Sequence, residues 1–183
     1  MVNRRDILGG AAFAGLAGCL GVARAAAPAA GLPAEARVPQ LQFVYECDVT
    51  LAATIDFGDV PEGHRRIIPI TGGRFHGPEI SGTVVPGGAD WNLSRRDGAS
   101  TVEAAYYLRT DDGAMLRITN RGVSAANRVN DPEAAERFSM FTVPSFEAPP
   151  GKYDWMNRTT FVGTLGGRKG VANAVLIRVF KLV

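Results

Sequence analysis

The sequence predicts an all-β fold: a single antiparallel barrel with at most one short helix. Three observations carry this. Leu41, Phe43, Tyr45, Cys47, Val49 and Leu51 recur at every second position, the period of a half-buried strand. The stretch 63–91 sets β-branched runs, 67–71 and 80–85, between Gly72-Gly73, Gly77-Pro78 and Pro86-Gly87-Gly88, a density of breakers that no helix survives. Residues 101–110 and 114–120 flank Asp111-Asp112-Gly113, a three-residue loop suited to a type I turn with Gly113 at the left-handed position.

In chain order, residues 1–25 read as a leader rather than as part of the fold. Arg4-Arg5-Asp6-Ile7-Leu8 is a twin-arginine pattern, a Gly/Ala-rich apolar run follows, and Ala23-Arg24-Ala25 is an A-x-A cleavage signature. The run is too short and glycine-rich for a transmembrane helix, so no integral membrane segment is expected after processing. Leu16-Ala17-Gly18-Cys19 offers an alternative, a lipoprotein box that would anchor the chain through a lipidated Cys19. The expected address is periplasmic or secreted, with the lipoprotein as the alternative. Residues 26–40, rich in alanine and proline, read as an extended linker, and 41–183 as the barrel domain.

Cleavage after Ala25 also changes the charge. The chain has 20 basic and 18 acidic residues, and the mature part keeps 17 of each. The apparent basicity belongs to the leader, and nucleic acid is not an expected partner. Cys47 is then the one thiol in the barrel domain, on the apolar face of its strand. That excludes an internal disulfide and marks Cys47 as a small core residue.

Further strands are expected at 65–71, 80–85, 90–95, 101–110, 114–120, 138–146, 160–163 and 174–182. In the central hairpin, Thr110 faces Ala114, Leu108 faces Leu116 and Tyr106 faces Ile118, all on one apolar face. Glu103, Tyr107, Arg109, Arg117 and Thr119 take the other, and a one-residue slip would mix the two. Asp131-Pro132-Glu133 is a helix start, extended by a turn or two over 134–137. Eight or nine short strands with glycine corners predict closure rather than an open sheet. Self-association would cover any edge or apolar outer face left over, and the sequence sets no stoichiometry.

The stretch 63–91, with Leu108-Arg109-Thr110-Asp111-Asp112-Gly113, Asn120-Arg121-Gly122, Phe146-Glu147 and Trp155-Met156-Asn157-Arg158, resembles the UPF0311 (DUF3237) family over 41–183. The resemblance implies a small calycin-like, lipocalin-like β-barrel. It says little about activity, because the family is one of unknown function, and it supplies no catalytic residues to carry over.

Standard sites are missing from the sequence. There is no P-loop, no dinucleotide-binding spacing at Gly72–Gly77 and no G-x-S-x-G. His64 and His76, with His76-Gly77-Pro78-Glu79 around the second, make a poor metal signature, so neither metal nor cofactor is expected. What remains is acids, arginines and aromatics near turns. Asp90 beside Trp91 is either a partly desolvated acid in the general acid/base range or a turn cap next to a core indole. Glu147 is either a second acid or a salt-bridge partner of Arg121 or Arg158. Trp155 and Asn157, in the compact turn 153–157, suit a ligand pocket or an aromatic plug at one barrel end. Arg65-Arg66 would hold a carboxylate ligand or simply flank a strand, and Tyr106 is placed with the ligand-contacting residues.

If consecutive corners alternate between barrel ends, Asp90 at the start of one strand and Arg109 at the end of the next share an end. The expected site is therefore Asp90, Trp91 and Arg109 in one cavity, with Glu147 and Trp155 near its rim, Asp90, Arg109 and Glu147 carrying the chemistry. The hairpin register works against this, because it puts Arg109 opposite the apolar face. Two function classes follow. The first is an exported barrel that binds a small, partly apolar or aromatic molecule. The alternative is a cofactor-independent enzyme, a lyase, isomerase or cyclase, working at the barrel mouth. A carrier needs a mostly apolar cavity without a perturbed acid, and an enzyme needs convergent polar groups in it. Fold alone cannot choose between them.

Overall fold

A computed structural model describes residues 37–124, 140–168 and 170–183. Residues 38–183 form one compact unit. Its strands are β1 (Leu41–Leu51), β2 (Ile55–Val60), β3 (Gly63–His76), β4 (Ser81–Arg95), β5 (Ser100–Thr110), β6 (Met115–Ser124), β7 (Met140–Glu147), β8 (Phe161–Gly167) and β9 (Ala174–Leu182). A short 3-10 helix, Asp154–Arg158, lies between β7 and β8. All pairings are antiparallel, in the order β1-β9-β8-β7-β6-β5-β4-β3-β2. A further β1–β3 pairing, from Glu46↔His76 to Leu51↔Ile70, closes eight strands into a barrel. β2 is left outside the ring and is paired to β3. His64 ties it down, its two ring nitrogens reaching Asp56 at 2.8 Å and Asp59 at 2.9 Å.

The alternation in 41–51 becomes β1, with Tyr45, Cys47 and Val49 buried. The β5–β6 hairpin has the expected register, Tyr106↔Ile118 and Leu108↔Leu116. The expected corner at Pro86-Gly87-Gly88 is not one. β4 runs unbroken through it, as β3 runs through Gly72-Gly73. Between Val85↔Tyr107 and Ala89↔Ala105, residues 86–88 oppose Tyr106 alone, so the glycines make a bulge that bends the strand. A Cβ on Gly88 would stand 2.4 Å from that of Tyr106, which is why the approach needs glycine. β2 was not anticipated: its Gly58 and acidic residues hide the alternation. The expected helix at 131–137 lies outside the described residues.

The interior is filled unevenly. With the 96–99 turn taken as the upper end, β1, β4, β6 and β8 run toward it and β3, β5, β7 and β9 away from it, so height is read directly from the register. In the lower half Tyr45, Phe75, Phe146 and Phe161 interlock, with ring centroids 5.4 Å apart for Tyr45–Phe75 and 4.8 Å for Phe146–Phe161. The 3-10 helix buries Met156 beneath them, with Tyr153 at its N-terminal edge. The upper half receives Val49, Leu51, Ile70, Ala104, Val175 and Ile177. These smaller side chains cannot fill the same cross-section, and a cavity remains.

Candidate functional site

The cavity measures ≈ 210 Å³ and lies in the upper half of the barrel. Ten of its fourteen lining residues are apolar, among them Ile68, Val102, Met140 and Leu165; the other four are Asp90, Asn92, Tyr106 and Asn120. It is at the small end of ligand pockets, with room for a one-ring molecule.

Asp90 and Asn92 arrive by parity. After the bulge, β4 turns Asp90, Asn92 and Ser94 inward and Trp91 outward. Asp90 stands between Ile68 on β3 and Ala104 on β5, and its Oδ1 accepts the Glu103 backbone N–H at 2.8 Å. Arg66, opposite Asn92, reaches inward: its Nη2 donates to Asn92 Oδ1 at 2.7 Å and to Ser94 Oγ at 2.9 Å, while its Nε is buried without a partner among the described residues. Burial lifts the Asp90 carboxyl above the usual aspartate range. Hydrogen bonds from the Glu103 N–H and the Asn92 amide, and the charge of Arg66, hold it partly back. The result is a carboxyl of raised pKa in a largely apolar chamber, linked to the Arg66 guanidinium through the Asn92 amide.

On the same wall, Tyr106 on β5 and Asn120 on β6 are each 1% exposed. The Tyr106 hydroxyl and both polar atoms of Asn120 have no hydrogen-bond partner among the described residues. Burial, with Cys47 nearby, pushes the Tyr106 phenol well above its ordinary value, so it stays a donor. Burial raises the Cys47 thiol as well, so it is no nucleophile.

Of the residues singled out in the sequence, the structure brings Asp90 and Tyr106 together and leaves the rest elsewhere. Trp91 is 41% exposed on the outer wall, because neighbours on a strand face opposite ways. Arg109 pairs with Thr83 near the lower end and points outward, since the continuous β4 removes the corner that would have put the two ends together. Glu147 is exposed and ion-paired with Arg117, neither Arg121 nor Arg158. Arg65 points outward and donates to the Trp91 carbonyl at 3.2 Å; its neighbour Arg66 is the inward member of the pair. Trp155 belongs to the lower plug, its ring 5.9 Å from that of Phe161 and under the Lys181 ammonium. Asn157 clasps the backbone of Ala148, donating to its carbonyl and accepting from its N–H. Asn92 and Asn120 were missed. The signal was present: Asn92 shares the parity of Asp90, and Asn120 follows Leu116 and Ile118 on the apolar face.

Among the described residues no cluster of three or more His, Cys, Asp or Glu could hold a metal ion, and no helix is long and apolar enough to cross a membrane.

The family described as "protein of unknown function (DUF3237)" matches residues 39–182. A UPF0311 protein from Rhodopseudomonas palustris is 30% identical over 132 residues, 68% of this chain and 86% of the relative. The crystal structure of a conserved protein of unknown function from the same species superposes with a TM-score of 0.72 at 29% identity, over 81% of this chain and 100% of that one. The hydroalkoxylation enzyme phnH of Penicillium herquei is 27% identical over 126 residues, 69% of this chain and 74% of its own.

Proposed function

The chain belongs to the UPF0311 (DUF3237) family, and we propose that its barrel is a cofactor-independent enzyme, taking a small, partly apolar molecule into the upper cavity and moving a proton on it with Asp90. The observation that carries this is a carboxyl that lines a largely apolar chamber, its pKa raised by burial, beside a hydrogen-bonded pair of Asn92 and Arg66. A passive carrier has no use for a desolvated carboxyl there, and a general acid/base does.

The relative from Penicillium herquei supports the reading, because hydroalkoxylation is proton-transfer chemistry. An O–H bond breaks, one carbon of a C=C gains the oxygen and the other gains the proton; nothing is oxidised or reduced. A carboxyl that takes a proton from a hydroxyl and returns it to carbon meets this need. In this chain Asp90 would be that group, with Asn92 and Arg66 positioning it. The apolar walls would hold the carbon frame and keep water from competing.

The apolar lining also favours a second reading, a ligand-binding barrel without turnover. Asp90→Asn separates the two. The amide oxygen can still accept the Glu103 N–H, so the melting temperature should hold. The molecule captured by the wild-type protein from a metabolite extract, identified by native mass spectrometry, is then offered to both proteins. The enzyme reading expects conversion by wild type and a loss of about 10²–10⁴-fold in the variant, with capture intact. Equal capture and no conversion by either protein would establish the carrier. Unfolding of the variant would make Asp90 a structural residue.

A further inference from the structure

We propose that Asn120 and Tyr106 form a second polar subsite in the cavity, built for a neutral carbonyl group that carries an adjacent N–H or O–H, such as a carboxamide. This rests on the reading of the cavity as a substrate chamber and names the class of molecule that would fill it.

The two residues are diagonal neighbours on β5 and β6, since Tyr106 pairs with Ile118 and Asn120 lies two positions further along the same face. Both line the one cavity, and a diagonal offset lets a long aromatic side chain and its neighbour contact a single bound molecule. Neither has an internal use. The Tyr106 hydroxyl, Asn120 Nδ2 and Asn120 Oδ1 are all buried, line or border the cavity, and lack partners among the described residues. Orphaned buried polar atoms are uncommon in native proteins and call for an explanation.

The donor and acceptor pattern defines the class. Tyr106 O–H and the Asn120 NH₂ both donate, and the Asn120 carbonyl accepts. A carbonyl oxygen takes the two donors and an adjacent N–H or O–H takes the acceptor. No cation lines this wall, so a carboxylate would be buried unpaired, at high cost. The ligand is therefore neutral at this end. Its other end faces Asp90. Asp90, Ala104 and Asn120 form one row across β4, β5 and β6. Two strand spacings separate the outer members, roughly 9–10 Å along the wall. Between them stands only the methyl of Ala104. That leaves space for one ring carrying a hydroxyl toward Asp90 and the carbonyl toward Asn120.

The test compares 4-hydroxybenzamide with 4-isopropylphenol, which share the ring, the hydroxyl and the outline. Both are titrated calorimetrically into wild type, Asn120→Leu, Tyr106→Phe and Asp90→Asn. The readout is the ratio of the two dissociation constants, so that differences in hydrophobicity cancel. Asn120→Leu should shift the ratio against the amide by about tenfold or more, because a site that hydrogen-bonds a group rejects the analogue lacking it. Tyr106→Phe should shift it the same way by less, and Asp90→Asn should leave it unchanged. Asn120→Leu should also melt no lower than wild type, and about 2–4 °C higher if the relief of two buried unpartnered atoms is realised. An unchanged ratio in Asn120→Leu overturns the subsite while leaving the Asp90 reading intact. A melting temperature several degrees lower overturns it too, by making Asn120 a structural residue. Failure of wild type to bind either probe at millimolar concentration overturns the subsite as drawn and leaves the Asp90 reading to its own test. A shifted ratio with full turnover in Asp90→Asn would keep the subsite and remove the catalytic assignment.

Discussion

Asp90 has its ordinary surroundings exchanged for an apolar chamber, and the sign of the consequence is definite. Its pKa in the folded protein lies above the value in the unfolded chain, mainly through burial. A group so shifted contributes stability fully below the ordinary aspartate value of 3.8, and that contribution is lost as pH rises through the raised native value. Wild type and Asp90→Asn should therefore melt most alike at low pH, with the variant gaining relative to wild type as pH rises toward neutrality. A set of thermal melts across pH 3–8 checks this, and a variant that loses ground on the alkaline side would contradict it. Turnover that uses the carboxylate should rise through the same elevated value. At this scale the sequence was half legible. Asp90 was found because an acid follows a glycine-rich break, but Trp91 and Arg109 were attached to it by proximity and an inferred corner. Strand parity forbids the first attachment, and the unbroken β4 forbids the second.

The elements show why the corner was misread: composition reports that glycine is required but not what for. Gly113 serves a turn, whereas Gly73 serves a crossing. At Gly73, φ is 140° and a Cβ would lie 2.0 Å from the Asp48 carbonyl oxygen, at the β1–β3 seam that closes the barrel. Gly113 has φ 90° and open space around it. Gly73→Ala should cost upwards of about 3 kcal/mol, combining backbone strain with a displaced ladder. Gly113→Ala should cost only the strain, about 1 kcal/mol. Chemical denaturation of both variants checks the ranking, and equal costs would remove the seam argument. The lower plug provides a contrasting titration. Asp112 accepts from Lys152, Thr110 and the Tyr153 hydroxyl, which hold its carboxyl below the usual range, Lys152 most of all. Its contribution is present above 3.8 and lost as pH falls, opposite in sign to that of Asp90. Wild type should therefore lose melting temperature faster than Asp112→Asn on acidification below pH 4. Parallel acid limbs would show that the Asp112 cluster does not fasten the plug.

At the scale of the molecule, closure itself was legible, because alternation, hairpin register and turn density all agree on it. The cavity was not, since it depends on large rings collecting in the lower half while small side chains line the upper, a sorting visible only when register assigns heights. The address of the chain is the remaining large-scale expectation, and we propose export on the strength of residues 1–25. The barrel is compatible with either form of processing. Its backbone pairing begins where Gln40 and Val183 exchange hydrogen bonds of 3.0 and 2.9 Å, downstream of both Cys19 and Ala25. The two cysteines make the outcome countable. Cys47 is buried and free, so a thiol reagent should not label it rapidly in the native exported protein. After unfolding, a processed chain should yield one reactive thiol, whether Cys19 has been removed or is blocked by a lipid thioether. An unprocessed chain should yield two. Intact mass then separates the two processed forms, a start at Ala26 from an acylated Cys19. Two thiols together with the mass of the full chain in the exported fraction would refute both forms.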